Sequence, residues 1–163
     1  MTGQQHIGVH PWNAPPQIAN YQPPTQPEVR TLTVYDEPVA KARPRVTVRA
    51  GRAHAYTPAA TLQAEWRIRN RWIETHGTEP MTGPLALTVT VWLAIPQSMP
   101  KKHRATAQPT KRPDLDNYIK TVMDALNGVA WADDSQVVRI IADKRYIKDA
   151  TLPRWEIAVE ALG

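Results

Sequence analysis

The stretch RPDLDNYIKTVMDALNGVAWADD, residues 112–134, sets aspartates at both ends of one short striped run, in a chain whose net charge is +5. Within it Ile119, Val122, Met123 and Leu126 recur at the three- and four-residue spacing of a helix that buries one side. The spacing predicts a helix over 115–127, opened by Pro113, which keeps the chain before it extended, and closed by Asn127-Gly128. After an acidic turn at Asp133 and Asp134, the run VVRIIADKRY reads as a strand. The helix therefore returns the chain to a sheet.

Upstream, LALTVTVWLAIP (85–96) alternates Leu85, Leu87, Val89, Val91, Leu93 and Ile95 on one face, the strongest strand signal in the chain. A second helix is expected over 58–75, with Thr57 as cap, Leu62, Trp66, Arg69 and Ile73 on one side, and Gly77 at its end. Before it, TLTVYDEPVAKARPRVTV (31–48) holds two β-rich runs around a polar segment, and RAGRAHAYTP turns at Gly51 as a hairpin or loop. These elements predict a single compact α+β domain over 31–163, a mixed sheet with one face packed by the two helices. Residues 1–30, with six prolines and no apolar period, read as a flexible proline-rich tail.

The chain has no cysteine, which excludes disulfides, a thiol nucleophile and thiolate metal sites, and its five histidines show no metal-ligand spacing. No segment approaches a membrane span and the N-terminus lacks a secretory signal pattern, so a cytoplasmic protein with no membrane partner is expected. Trp66, Trp72, Trp92, Trp131 and Trp155 sit in separate apolar elements and read as packing groups rather than base-stacking platforms.

The charge is unevenly placed. Lys41, Arg43 and Arg45 alternate along an extended chain, and Arg49 and Arg52 flank Gly51. Such a cluster suits DNA phosphates, or else forms a solvated edge that discourages sheet association. Lys101, Lys102, His103, Arg104, Lys111 and Arg112 lie in a proline-containing loop over 96–113, a second surface for phosphodiester backbone or an ordinary charged loop. Arg139, Lys144 and Arg145 extend that surface or face solvent.

On residue types alone the aspartates allow two readings. In one, Asp114 or Asp116 caps the helix, Lys120 pairs with Asp116, Asp124 is solvated, and Asp133-Asp134 starts a turn. In the other, the fold aligns Asp134 with Asp114 and Asp116, and their mutual repulsion calls for a divalent cation. All-oxygen ligands favour Mg²⁺, with Mn²⁺ as substitute, and such an ion activates water beside a phosphate. Lys120 would then neutralise phosphoryl charge or hold the water.

DLDNYIKTVMDALNGVAWADDSQVV (114–138) resembles the central signature of the RusA family of Holliday-junction resolvases, small endonucleases of bacteria and their phages. YDEPVAKARPRVTVRAGRAHAYTP (35–58) resembles the N-terminal part of phage-type members, and the likeness covers about residues 31–160. It implies a metal-dependent endonuclease, acting as a homodimer on branched DNA and resolving four-way junctions by paired symmetric nicks. Asp114, Asp116 and Asp134 would hold Mg²⁺ and act in catalysis with Lys120, while Asn117 and Asp133 support them from behind. Lys41, Arg43, Arg45, Arg49, Arg52, Lys101, Lys102 and Arg112 are the expected DNA contacts. A nuclease of flaps or forks and a noncatalytic branched-DNA-binding dimer are the alternatives. A bacterial cytoplasm, with a phage or prophage gene, is the implied setting.

If Arg45 meets phosphate, Arg45→Ala weakens branched-DNA binding and lowers the salt slope by about 1. Titrations at several salt concentrations check this, and an unchanged slope counts against the contact.

Overall fold

The computed structural model describes residues 27–43, 45–49 and 52–163, with the backbone alone over 45–49 and 52–55. The expected tail up to residue 26, Pro44 and the turn at Ala50 and Gly51 lie outside the described residues.

The elements are β1 (Val29–Val34), β2 (Arg45–Arg49), β3 (Arg52–Tyr56), α1 (Ala59–His76), β4 (Leu85–Leu93), α2 (Lys101–Arg104), α3 (Leu115–Leu126), a 3-10 turn (Asp134–Gln136), β5 (Val137–Tyr146) and β6 (Arg154–Ala161). β1 opens at Val29, so the sheet takes in the last two residues of the expected tail. The main sheet has the order β1-β6-β4-β5, and β2 and β3 form a separate hairpin. β4 pairs parallel with β5 and antiparallel with β6, which in turn pairs antiparallel with β1. The sheet is thus mixed, and α2 and α3 lie in the crossover that a parallel β4–β5 pair requires.

Period-two alternation in β4 decides which face is covered. Leu85, Leu87, Val89 and Val91 are all fully buried, and across the register stand Ile157, Val159 and Trp155 of β6 on the same side. Ile68 and Trp72 of α1 and Tyr118, Val122, Ala125 and Leu126 of α3 close over them in one core. Burying each such side chain stabilises the fold by about 1.5–3 kcal/mol, so this single layer of contacts holds the domain together. Tyr118 meets Trp155 edge-on, with ring centroids 5.8 Å apart.

α1 rests on a side other than the one the sequence suggests, whereas α3 buries Val122 and Leu126 of its expected stripe and adds Tyr118, Thr121 and Ala125. α1 buries Thr61, Ala64, Ile68 and Trp72, whereas Leu62 and Trp66 face solvent at 51% and 66% exposure. Both sets have helical spacing, and the one holding Ile68 and Trp72 is the one that shares the core with β4. In α3 the buried side is Tyr118, Thr121, Val122, Ala125 and Leu126, with Ile119 and Met123 only half-buried. Pro58, not Thr57, occupies the position before α1, and no side chain caps that end. Gly77 and Gly128 stop the helices at positive φ, 79° and 76°, which glycine tolerates without strain. Within the expected loop over 96–113, Lys101–Arg104 forms one helical turn.

Three of the five tryptophans considered above, Trp72, Trp131 and Trp155, are fully buried. Trp92 is half-buried under the Arg154 guanidinium, 4.6 Å from the ring centroid.

Ile68→Ala is expected to lower unfolding free energy by about 2–5 kcal/mol, and Trp66→Ala by less than about 1 kcal/mol. Urea denaturation of the two variants checks this, and the reverse ranking would overturn the assignment of the buried side.

Candidate active site

Three cations from distant parts of the chain hold α3. Lys144 of β5 donates its Nζ to the carbonyls of Lys111 (2.9 Å) and Pro113 (2.8 Å), fixing the segment that leads into Asp114. The Lys41 amide donates to the Asn117 carbonyl (2.8 Å) and the Thr121 hydroxyl to the Val39 carbonyl (3.1 Å), tying the segment 39–41 along the helix. At the far end Arg69 of α1 donates to the carbonyls of Asn127 (3.0 Å) and Ala125 (3.3 Å). A cation there satisfies unpaired carbonyls and complements the negative end of the helix dipole.

Asp114 stands just before α3 in extended conformation, exposed, and its side chain makes no capping hydrogen bond. The capping role that residue types allow is therefore not what occupies its carboxylate. Asp116 is exposed in the first turn, where Asn117 Nδ2 donates to its Oδ1 at 3.2 Å. Negative charge at this end of a helix is favourable. Lys120, exposed, faces Asp124 Oδ1 at 3.8 Å. Its ion-pair partner is thus the aspartate one turn later, not Asp116.

Asp134 begins the 3-10 turn, and its Oδ1 accepts from Trp131 Nε1 at 2.8 Å. Because Trp131 is fully buried, the indole sets the direction of that carboxylate. Asp133 takes the turn-forming role: its Oδ1 accepts from the Ser135 amide (2.9 Å), while Gln136 Oε1 accepts from the Asp133 amide (3.2 Å). Hydrogen bonds from Ser135, side chain first and amide second, hold the Asp133 carboxyl below the usual range.

The fold does not bring Asp134 to Asp114 and Asp116 within one chain. Asp134 is bonded to Trp131, which bridges to Asn127 at the C-terminal end of α3, whereas Asp114 and Asp116 lie at the N-terminal end. A helix of this length separates its ends by about 18 Å at 1.5 Å per residue. Accordingly, among the described residues no three of His, Asp and Glu come close enough to hold a metal ion. The alignment that one of the two readings required does not occur within one chain, because the return from β4 to β5 places the start and the end of α3 apart.

Cations do gather at the Asp114 end. Arg43 and Arg112 line a cavity of about 490 Å³ together with Asp114 and Asn117. Lys41 also lines this cavity, and its ammonium is paired with two carboxylates, 2.5 Å from Glu65 Oε1 and 2.7 Å from Asp124 Oδ2. Burial alone would lower its pKa, but the hydrogen bonds to Asp124 and Glu65 outweigh that and raise it. A raised lysine pKa means a stabilising contribution fully present below the ordinary lysine range and lost only as pH climbs through the folded value. Arg49 and Arg52 are cross-strand partners in the β2–β3 hairpin, with Arg45 opposite Tyr56, and the directions of these arginine side chains lie outside the description. Lys101 and Lys102 are exposed on α2.

The carboxylates at the start of α3 are hard oxygen donors. They fit Mg²⁺, which binds through one or two carboxylates with water and substrate phosphate completing its shell. Trp131, Asp124 and Lys144 were not singled out as site-shaping residues by their sequence pattern. Trp131 had a local signal, three residues before Asp134, but the partners of Lys144 are more than thirty residues away and leave none.

Fold and site together define an α+β domain that presents acids and arginines at one loop–helix junction. The family model described as Endodeoxyribonuclease RusA matches residues 36–160. The uncharacterized protein YqaN of Bacillus subtilis (strain 168) is 35% identical over 139 residues, spanning 81% of this chain and 96% of the relative. The chain belongs to the RusA family of Holliday-junction resolvases. Among the described residues no helix is long and apolar enough to cross a membrane.

Lys144→Met is expected to speed amide hydrogen exchange at Arg112, Asp114 and Leu115 while leaving β4 protected. Equal exchange in both proteins would show that Lys144 does not hold this segment.

Proposed function

We propose that this protein is a Mg²⁺-dependent endonuclease that resolves four-way DNA junctions by paired symmetric nicks, and that it acts as a homodimer. The observation that carries the reading is the pair Asp114 and Asp116 at the start of α3, beside Arg43 and Arg112, in a chain matched to the RusA endodeoxyribonucleases over 36–160. Arginine forks suit phosphate oxygens and would seat the DNA backbone against the two carboxylates. The exposed α2 lysines and the hairpin arginines would extend that contact along the junction arms.

The separation of Asp134 from the other two acids gives the dimer a chemical purpose. Asp114 and Asp116 of one copy would meet Asp134 of a second copy, so that each complete site is shared and two sites arise together around a twofold axis. Two equivalent sites match two equivalent strands of a four-way junction. Asp114, Asp116 and Asp134 would hold the metal, which when bound supplies an activated water and stabilises phosphoryl charge. Lys120 would place its ammonium against the developing charge, and Asn117 would keep Asp116 oriented.

Labelled mobile junctions incubated with Mg²⁺ test both statements. Wild type is expected to make symmetric nicks, and Asp116→Asn and Asp134→Asn each to cut at least about 10²-fold more slowly while still binding. Mixed and refolded together, those two variants regenerate one intact shared site per heterodimer and regain nicking. No recovery on mixing would place each site within one chain, preferred flap cutting would move the substrate to forks, and binding without any cut would end the hydrolytic reading.

A further inference from the structure

Lys41, Glu65, Asp124 and Lys120 form a chain of alternating charge. Lys41 Nζ sits 2.5 Å from Glu65 Oε1 of α1 and 2.7 Å from Asp124 Oδ2 of α3, and the other oxygen of Asp124 faces Lys120 Nζ at 3.8 Å. One carboxylate therefore serves two ammonium groups, one inside hydrogen-bonding distance and one outside it. The two contacts differ in burial as well: Lys41 and Glu65 side chains are 19% and 16% exposed, Lys120 64%.

We infer that Lys41 is a positioning residue for Lys120: by occupying Asp124 it leaves Lys120 tethered near the acids of α3 yet free to turn to a phosphate. The inference rests on the reading above, in which Lys120 meets the scissile phosphate. Without Lys41, both oxygens of Asp124 would be open to Lys120, and the nearest opposite charge would hold it away from DNA. Glu65 and Asp124 would also face one another without the cation between them, a repulsion that only solvent or protonation relieves. A direct phosphate contact by Lys41 itself would require breaking two short, half-buried ion pairs, and removing one member of such a set is costly.

The main chain supports the same assignment. The Lys41 amide bonds to the Asn117 carbonyl, so the residue that neutralises Asp124 is also fixed to the turn of α3 that carries Asp116. Among the described residues, the charged groups paired with the Lys41 ammonium are Glu65 from α1 and Asp124 from α3, and the group paired with Lys120 is Asp124.

The test uses the full chain as wild type, Lys41→Met, Lys41→Arg, Asp124→Asn and the double variant Lys41→Met/Asp124→Asn. Acylation of Lys120 by an activated acetate ester, followed by mass spectrometry, reports how free its amine is and needs no cleavage activity. Lys41→Met is expected to slow that acylation, Asp124→Asn to speed it above wild type, and the double variant to reverse the slowing. Single-turnover junction cleavage should fall about tenfold in Lys41→Met and recover in the double variant and in Lys41→Arg. The salt slope of junction binding should stay at the wild-type value in the double variant, where Lys120 is free to meet phosphate again.

A purely structural Lys41 would leave Lys120 acylation in folded Lys41→Met as it is in wild type, whatever happens to cleavage. Unchanged Lys120 acylation in Lys41→Met and Asp124→Asn, absent recovery in the double variant, or a salt slope reduced by about 1 in the double variant would each overturn the inference. If wild type cuts no junction, the nuclease reading falls, and the acylation series still decides the coupling of Lys41 to Lys120.

Discussion

A helix of twelve residues is too short to stand alone in water, and α3 exists because the rest of the molecule grips it. Its apolar side supplies the affinity, lying with α1 on the fully buried row of β4. Apolar contact is non-directional, however, and would tolerate a helix slid or rolled by part of a turn. Lys144, Lys41 and Arg69 remove that freedom, since each meets named carbonyls or carboxylates at the start, middle or end of the helix. The acids of the first turn inherit their placement from these three anchors.

The same arrangement explains why the acidic residues divide into two groups. A parallel pair of strands requires the intervening chain to travel back the length of the sheet, and α3 makes that return between β4 and β5. Whatever stands before the helix is then at one end of the sheet, and whatever stands between the helix and β5 is at the other. Asp114 and Asp134 are near in sequence, but topology holds them apart.

Much of this was legible in the chain itself. Alternation in 85–93, the helix within 112–134 and the mixed α+β class follow from periodicity and turn chemistry, and the central motif points to the family. What was not legible depends on partners remote in sequence. Two stripes of helical spacing compete in α1, and only packing against β4 and α3, remote in sequence, selects Ile68 and Trp72 over Leu62 and Trp66. Lys41 reads as one more cation in a basic run, because nothing local reveals Glu65 and Asp124 beside it. The orientation of Asp134 by Trp131 needed only a three-residue span, yet a buried indole is first read as packing.

The two connections that flank α3 differ in how they tolerate change over evolutionary time. From Trp131 to Gln136 the chain is stitched to Met81, Gly83 and Gly128 by backbone and glutamine hydrogen bonds, so an inserted residue would have to break several of them. The path from residue 94 to Asp114 is held mainly by Arg104 within itself and by Lys144 at its close. Doubling such a path adds only about 0.6 kcal/mol of closure entropy. New length can accumulate there while the helix and its acids stay where they are.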